Sequence, residues 1–482
     1  MPAEPIGDDI FFAPLSDLVA RLRKREFSAV DLTKAFCDRL EEKGPSYNAL
    51  ALSLRKAALK KAKDVDRDIK RERFRSALQG VPYGAKDLLS AAGQPTAWGA
   101  APFAGQVFEE DATVVAKLDK AGAILIGKLA MVELAGGGGY RYPSASVSGP
   151  GLNPWDRTRW SGGSSSGSGS AVAAGLVGFA LGSETSGSIL TPAAFCGITG
   201  LRPTYGLVSR HGAMALSWTL DKIGPMARSA EDCGLILQVI AGKDHDDPGS
   251  AGKGFYYAPQ FVRPFSELTL GYHPSDWETH ADEAARSALT QALEAFRAFG
   301  CQTRELELPD FPYGAVLSTI LGGEAGSIFE DLIESGGVDK LADANQIAGL
   351  KAMQDILARD YLKAQRIRSR IRAAFADLFY EVDLLISPAR NGIATKVTEP
   401  LGGSAPASRP DAGGPRARGL QGLIPAANLA GLPALCLPCG FAGNMPVAVQ
   451  LVSRPFNENV LLAFGAKYQS QTDWHKRRPP AS

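Results

Sequence analysis

Histidine is scarce in this chain of 482 residues, with only His211, His245, His273, His280 and His475. Four lie in polar or loop-like text and the fifth in a basic C-terminal stretch, and none has a motif around it. Chemistry that relies on His as the general base therefore has no signature here. Cysteine is equally thin: six residues, spread from Cys37 to Cys439. That spacing excludes a small disulfide-framed fold and leads us to expect a reduced, cytoplasmic protein. An excess of one charge is also missing, since 52 Lys and Arg face 51 Asp and Glu, for a net charge of +1. Such a balance supplies no global field for gripping nucleic acid or an anionic membrane. No apolar run approaches the ~18 residues of a spanning helix. The N-terminal MPAEPIGDDIFFAPL has no basic stretch followed by an apolar one, so no signal peptide is expected.

What is present is ordinary globular composition, 45% hydrophobic and 21% charged, which excludes a disordered or collagen-like chain. Apolar residues at helical intervals predict a helix over 16–43, with a break near Phe27 and Ser28 as a cap for its second half. Residues 54–75 read as a polar helix with ten basic and four acidic residues, a solvated face rather than a nucleic-acid arm. From Val81 onward short apolar strands alternate with amphipathic helices. DATVVAKLDK (111–120) and the small residues of 169–176 read as helices, AILIG (123–127) as a strand, and 353–379 as a long helix. LPALCLPCG (432–440) and PVAVQLVSRP (446–455) return to strand texture. This alternation predicts an α/β fold: one large domain over 1–482 with a central mixed, mostly parallel twisted sheet covered by helices on both faces. Residues 399–419, rich in Pro, Gly and Ala, read as a long surface loop that opens for bulky substrates.

The 53 glycines are clustered, and the cluster carries information. SGGSSSGSGS (161–170) is flanked by Trp155 and Trp160 on one side and AVAAGLVGFAL on the other. A Ser/Gly run wedged between core-like segments is a tight backbone structure, not a tether. A second such turn, GSETSGS (182–188), follows about 20 residues later. Glycines at a strand-to-helix turn let backbone N–H groups converge on one spot, the geometry that holds an oxyanion. Serine needs a base, and with His unsupported the available one is a lysine kept neutral by burial. Lys86, in the apolar VPYGAKDLLS (81–90), fits.

Four segments together resemble the amidase signature family: GVPYGAKD (80–87), NPWDRTRWSGGSSSGSGSAVAAG (153–175), GFALGSETSGSILTPAAFCGITGLRPTYG (178–206) and DKIGPMARSAEDC (221–233). The resemblance covers most of the chain, with a signature core at about 75–235 and a helical region and substrate loop at about 320–420. It implies a Ser–cis-Ser–Lys triad on one α/β domain. Ser188 matches the nucleophile, and Ser164, 24 residues before it, the bridging serine that follows a cis peptide. Lys86 matches the base and Ser165 a serine that supports it. The amides of Thr185, Ser186, Gly187 and Ser188 match the oxyanion hole. The chain departs from the family at Ser186, where glycine is commoner and a small residue should fit. It departs again at Leu190 and Thr191, where many members place an arginine that binds a substrate carboxylate.

Those residues imply a cofactor-free amidase with no metal, acting through an acyl-enzyme. The missing arginine points to neutral carboxamides: aryl amides, aryl carbamates (urethanes), and esters as a side activity. The alternative is the glutamine-hydrolysing subunit of a tRNA-dependent amidotransferase. It ranks second because 352–371 lacks the arginine-then-glycine text associated with that subunit. A small-molecule amide or carbamate is then the expected partner, with no nucleic acid, no membrane, and homodimerisation allowed. A non-enzymatic scaffold is disfavoured because Lys86, Ser164 and Ser188 are all present. Met131, Gly136, Gly137, Gly138, Gly139 and Tyr140 are expected to wall the acyl pocket. Gly122 to Lys128 has phosphate-loop spacing, but Leu129 replaces the hydroxyl that would ligate Mg²⁺. Cys436 and Cys439 have C-x-x-C spacing without a second ligand pair, and read as structural.

Overall fold

The computed structural model describes residues 6–401 and 419–480. Thirteen strands form among them: Leu50–Ser53 (β1), Pro82–Lys86 (β2), Ile124–Leu129 (β3), Leu152–Asn153 (β4), Asp156–Trp160 (β5), Phe179–Glu184 (β6), Thr199–Arg202 (β7), Lys222–Ala227 (β8), Thr269–Tyr272 (β9), Gln302–Glu305 (β10), Leu384–Pro388 (β11), Ala434–Ala442 (β12) and Met445–Ser453 (β13). Strands β4 and β5 form a separate hairpin, and the other eleven make one sheet in the order β1-β3-β2-β6-β8-β7-β12-β13-β11-β9-β10.

The expected mixed α/β sheet flanked by helices is present, but its parallel share is smaller than expected. Only β2–β3, β2–β6, β9–β11 and β9–β10 run parallel, and the pairs between β6 and β11 are antiparallel. For one of these pairs the reason is local. β12 and β13 are joined by the two-residue Gly443–Asn444 turn, with Gly443 at φ +60°, and a tight hairpin forces antiparallel pairing. The central strands read as apolar runs because they are buried on both faces; β2, β8, β11 and β13 are buried throughout. At one edge β10 is QTRE, fully exposed, and its charged side chains blunt that edge against further pairing.

The N-terminal helices follow the sequence closely. Leu15–Arg23 and Ala29–Lys43 are separate, and Ser28 caps the second in a capping box with Asp31. The polar helix is Arg55–Lys70, burying Ala58, Ala62, Val65 and Ile69. The helix expected over 169–176 instead spans Ser166–Ala173, so it starts inside the Ser/Gly run. All eight residues are buried, and packing overrides their poor intrinsic propensity. The long helix over 353–379 is Ala358–Glu381, preceded by a separate helix, Ala344–Met353. Most of the loop expected over 399–419 lies outside the described residues. No described helix is long and apolar enough to cross a membrane.

Replacing Ser28 with Ala removes the side-chain acceptor for the Asp31 N–H and should cost about 1 kcal/mol. Urea unfolding checks this: the midpoint should fall with unchanged slope, and an unmoved midpoint contradicts the cap's contribution.

Candidate active site

Strand β2 ends on Lys86, and its parallel neighbour β6 carries Ser183 before running into the turn 185–188. Two adjacent strand ends thus bring together residues almost a hundred positions apart. Lys86 is fully buried. Its Nζ donates to Ser164 Oγ at 2.7 Å and to Ser183 Oγ at 2.9 Å. No carboxylate forms an ion pair with it among the described residues. Burial pushes the Lys86 ammonium from 10.5 down to about 7, against the weaker pull of Asp221 and Glu184. Asp87, its chain neighbour, turns the other way and pairs with Lys128 Nζ at 3.0 Å. The lysine of the phosphate-loop match is therefore held in a buried ion pair.

The 162–165 segment is set by close approach. Gly162 has φ +86°, and a Cβ there would stand 2.6 Å from Pro192 Cα, so only glycine lets this loop lie against the helix Leu190–Cys196. The Gly163–Ser164 peptide is cis. Ser165 N–H donates to Ser188 O at 3.3 Å. Ser165 Oγ donates to Ser183 O at 3.2 Å and accepts from Ser183 N at 3.3 Å. Ser165 thus supports the lysine through Ser183 rather than by touching it. Ser183 itself escapes the sequence reading. The signal lies in its register: a hydroxyl near the end of a strand parallel to the one that ends on Lys86.

The turn after β6 leaves the N–H groups of Thr185, Ser186, Gly187 and Ser188 without an acceptor among the described residues, while the next two are taken. Ile189 and Leu190 donate to Glu184 Oε2 at 2.9 and 3.0 Å. Glu184 is bound in turn by Arg202 at 2.7 Å, both side chains fully buried, and by Asn428 at 2.9 Å. Burial, the largest single influence, raises its carboxyl, but the Arg202 charge, the hydrogen bonds from Arg202 and Asn428 and the Lys222 charge together hold it at about 2. Thr185 Oγ1 donates to Asp221 at 2.5 Å, and Asp221 also accepts from the N–H groups of Leu216 and Ser217. Gly187 makes the turn at φ +87°, whereas Ser186 is not among the residues of positive φ. A serine therefore replaces the commoner glycine without left-handed strain.

Ser188 opens onto a cavity of about 380 Å³ whose apolar walls include Tyr140, Trp160 and Phe195. No hydrogen bond joins Ser188 Oγ to Ser164 among the described residues. Gly136, Gly139 and Tyr140 line this cavity, as expected, but the other three predicted wall residues do not. Gly138 packs against the helix Ala344–Met353, where a Cβ would lie 2.1 Å from Gln346 O. Gly137 backs onto Leu216 and Phe329. Met131 is buried in the core, its carbonyl beside Gly99. Arg390 stands at the junction with a second, more polar cavity of about 460 Å³ that shares Ser186 and Phe195. Its guanidinium lies 5.7 Å from the Phe195 ring centre and makes no hydrogen bond or ion pair among the described residues. The expectation of a nucleophile without a cation nearby is thereby corrected. The cation follows β11, 202 residues beyond Ser188, where no local motif could reveal it.

Chemically the arrangement offers an amine whose charge is disfavoured by burial, hydrogen-bonded to a serine, a second serine lining a cavity, and N–H donors beside it without acceptors among the described residues. Those are the parts of an acyl-transfer centre. The Amidase family profile matches residues 31–462. A glutamyl-tRNA(Gln) amidotransferase subunit from Carboxydothermus hydrogenoformans is 34% identical over 495 residues, covering 98% of this chain and 99% of that protein. The native peptide amidase of Stenotrophomonas maltophilia superposes with a TM-score of 0.82 at 29% identity, over 97% of this chain and 98% of that one. The same amidotransferase subunit from Thermotoga maritima, at 24% identity and a TM-score of 0.75, covers 97% of each chain and shares the fold. The chain belongs to the amidase family and is an amide-hydrolysing enzyme. The partner expectation (a small-molecule amide or carbamate, no nucleic acid, no membrane, homodimerisation allowed) is overturned. Relatives matching nearly the whole chain are one subunit of an enzyme named for glutamyl-tRNA. The C-x-x-C pair is free and buried on β12, with no metal-holding cluster among the described residues.

Because the base must be neutral, kcat/KM for an amide should rise about tenfold per pH unit below about 7 and level off above it. Lys86→Ala should remove that rise along with most of the rate. A profile flat from pH 5.5 to about 8 in the wild type contradicts a lysine base.

Proposed function

We propose that this chain hydrolyses the primary carboxamide of a small substrate carrying a carboxylate, glutamine first among them, in the role of the amide-cleaving subunit of an amidotransferase. The observation that carries this reading is Arg390, a cation with no acceptor among the described residues, beside Ser186 at the edge of the Ser188 cavity. A buried guanidinium with free donors is matched by a carboxylate, which it can bind in bidentate fashion. The relatives that match nearly the whole chain are amidotransferase subunits, which supports the same reading.

In the proposed cycle Lys86, neutral at its Nζ, takes the proton of Ser164 Oγ as Ser164 takes that of Ser188. Ser188 Oγ attacks the carboxamide carbon, and the four N–H groups of 185–188 hold the oxyanion. A single donor of this kind is worth about 2.7–4 kcal/mol. Ser164 then returns a proton to the nitrogen, the C–N bond breaks and ammonia leaves. Water, deprotonated by the same relay, cleaves the ester on Ser188 and releases the acid.

A second reading, aryl amides or aryl carbamates with esters as a side activity, draws on the aromatic walls Tyr140, Trp160 and Phe195. Its other premise, the lack of a cation beside the nucleophile, does not hold.

Product release from glutamine, an anilide and an aryl carbamate separates the two. Glutamine should be turned over, and Arg390→Gln should raise its KM about ten- to a hundredfold with a smaller change in kcat, the loss expected for a charged hydrogen bond. Anilide turnover with glutamine inert, unaffected by Arg390→Gln, would transfer the assignment to aryl substrates. Ser188→Ala should be inactive on all three while keeping its circular-dichroism spectrum.

A further inference from the structure

Away from the reaction centre a third cavity, of about 450 Å³, is bounded by the helix Ala358–Glu381, the Thr204–Tyr205 segment and the lip residue Phe456. Its charge is one-sided. Arg368 and Arg372 line it, one turn apart on the helix, and no carboxylate does. Arg368 is 9% exposed and uses only part of its fork: Nε donates to Leu429 O at 2.8 Å and Nη2 to Thr219 O at 2.6 Å. Its Nη1 has no acceptor among the described residues. Arg372 makes no hydrogen bond or ion pair among them either. The two guanidinium charges oppose each other, and burial together with the Arg372 charge shifts Arg368 downward from its ordinary value, against the weaker pull of Glu324. Arg372 stands exposed to water, so the unfavourable feature is the unpaired Nη1 of the buried Arg368 beside that like charge.

The lip adds a second, independent feature. Phe456 is 38% exposed and adopts φ +62°, a left-handed conformation that a bulky side chain rarely takes. Lys253 Nζ sits 4.2 Å from its ring centre, which brings a third cation to the rim. Local strain of this kind, held on an exposed aromatic beside a basic pocket, is characteristic of a ligand clamp. Thr204, Thr219 and Ser369 line it too, but their hydroxyls already donate to Glu458, Glu324 and Gln365 O, so the donors left for a ligand are the arginines; Tyr205 supplies a second aromatic wall.

We infer that this cavity is an anion site for a phosphate group, held by Arg372 and the free Nη1 of Arg368 with Lys253 at the mouth. A tetrahedral, multiply charged oxyanion matches the Arg372 fork, the single free Nη1 of Arg368 and an ammonium better than a monovalent carboxylate does. The cavity has room for more than inorganic phosphate, so the source is either free phosphate or a phosphate ester of nucleotide size.

Isothermal titration of the intact chain with inorganic phosphate, AMP and adenosine tests this. Phosphate or AMP should bind and adenosine should not. Tighter AMP binding assigns the site to a phosphate ester, and equal binding assigns it to the free anion. Arg372→Gln should weaken the bound anion by about tenfold or more, and Lys253→Gln by less. Both variants should keep amide turnover, which shows that they fold. Failure of both anions to bind the wild type at millimolar concentration, or binding unchanged by Arg372→Gln, overturns the assignment. It does so without bearing on the amidase reading.

Discussion

A buried lysine denied an anion, Lys86, is the constraint on which the reaction centre depends. Lys86 has no ion pair among the described residues, and its hydrogen-bonding partners are the hydroxyls of Ser164 and Ser183. Of the other buried cations nearby, two are paired with acids and the third, Lys222, meets a neutral amide. Lys128 pairs with Asp87, Arg202 with Glu184, and Lys222 donates to the Asn428 carbonyl oxygen at 2.5 Å. The two acids that could have reached Lys86 are also occupied. Glu184 is held by Arg202, Asn428 and two backbone N–H groups, and Asp221 by Thr185 and two more. Burial without a counter-charge is what lowers an ammonium toward neutrality, and an ion pair would undo it.

The same acids also shape the nest. By binding the N–H groups of residues 189 and 190, Glu184 leaves those of residues 185–188 free. By binding Thr185, Asp221 anchors the first residue of the turn. One charged lattice therefore holds both acids away from an ion pair with Lys86 and fixes the turn whose N–H groups stay free. Reactivity and substrate choice, by contrast, reside in different parts of the chain. In the proposed cycle the relay and the nest come from 86–188, while the cation proposed to meet the substrate comes from Arg390 after β11. A chain of this fold can change substrate at the second place without disturbing the first.

Much of the reaction centre is legible in the sequence because it is local. The two Ser/Gly turns and the apolar setting of Lys86 are short-range patterns, and the strands that carry them are continuous apolar runs. What escapes depends on long-range placement. Ser183 gains its role only through the register between β2 and β6, and Arg390 only through the fold that brings a distant loop to the cavity. The antiparallel middle of the sheet combines one tight hairpin, β12–β13, with long-range pairings, and strand–helix alternation reveals neither. The helix starting at Ser166 defies its composition because burial outweighs the propensity of Ser and Gly. In the glycine run 136–139, Gly137 and Gly138 serve backbone packing rather than the cavity, Gly138 against the helix Ala344–Met353 and Gly137 against Leu216 and Phe329.

The central claim is that the Lys86 amine is neutral near physiological pH in the folded protein. Its most direct test is to follow the lysine ¹³Cε resonances of the intact chain through a pH titration, assigning Lys86 by its absence in Lys86→Met. The account predicts one lysine titrating near 7 and assigned to Lys86. A Lys86 signal that stays protonated past about pH 9, near the ordinary lysine range, would contradict it.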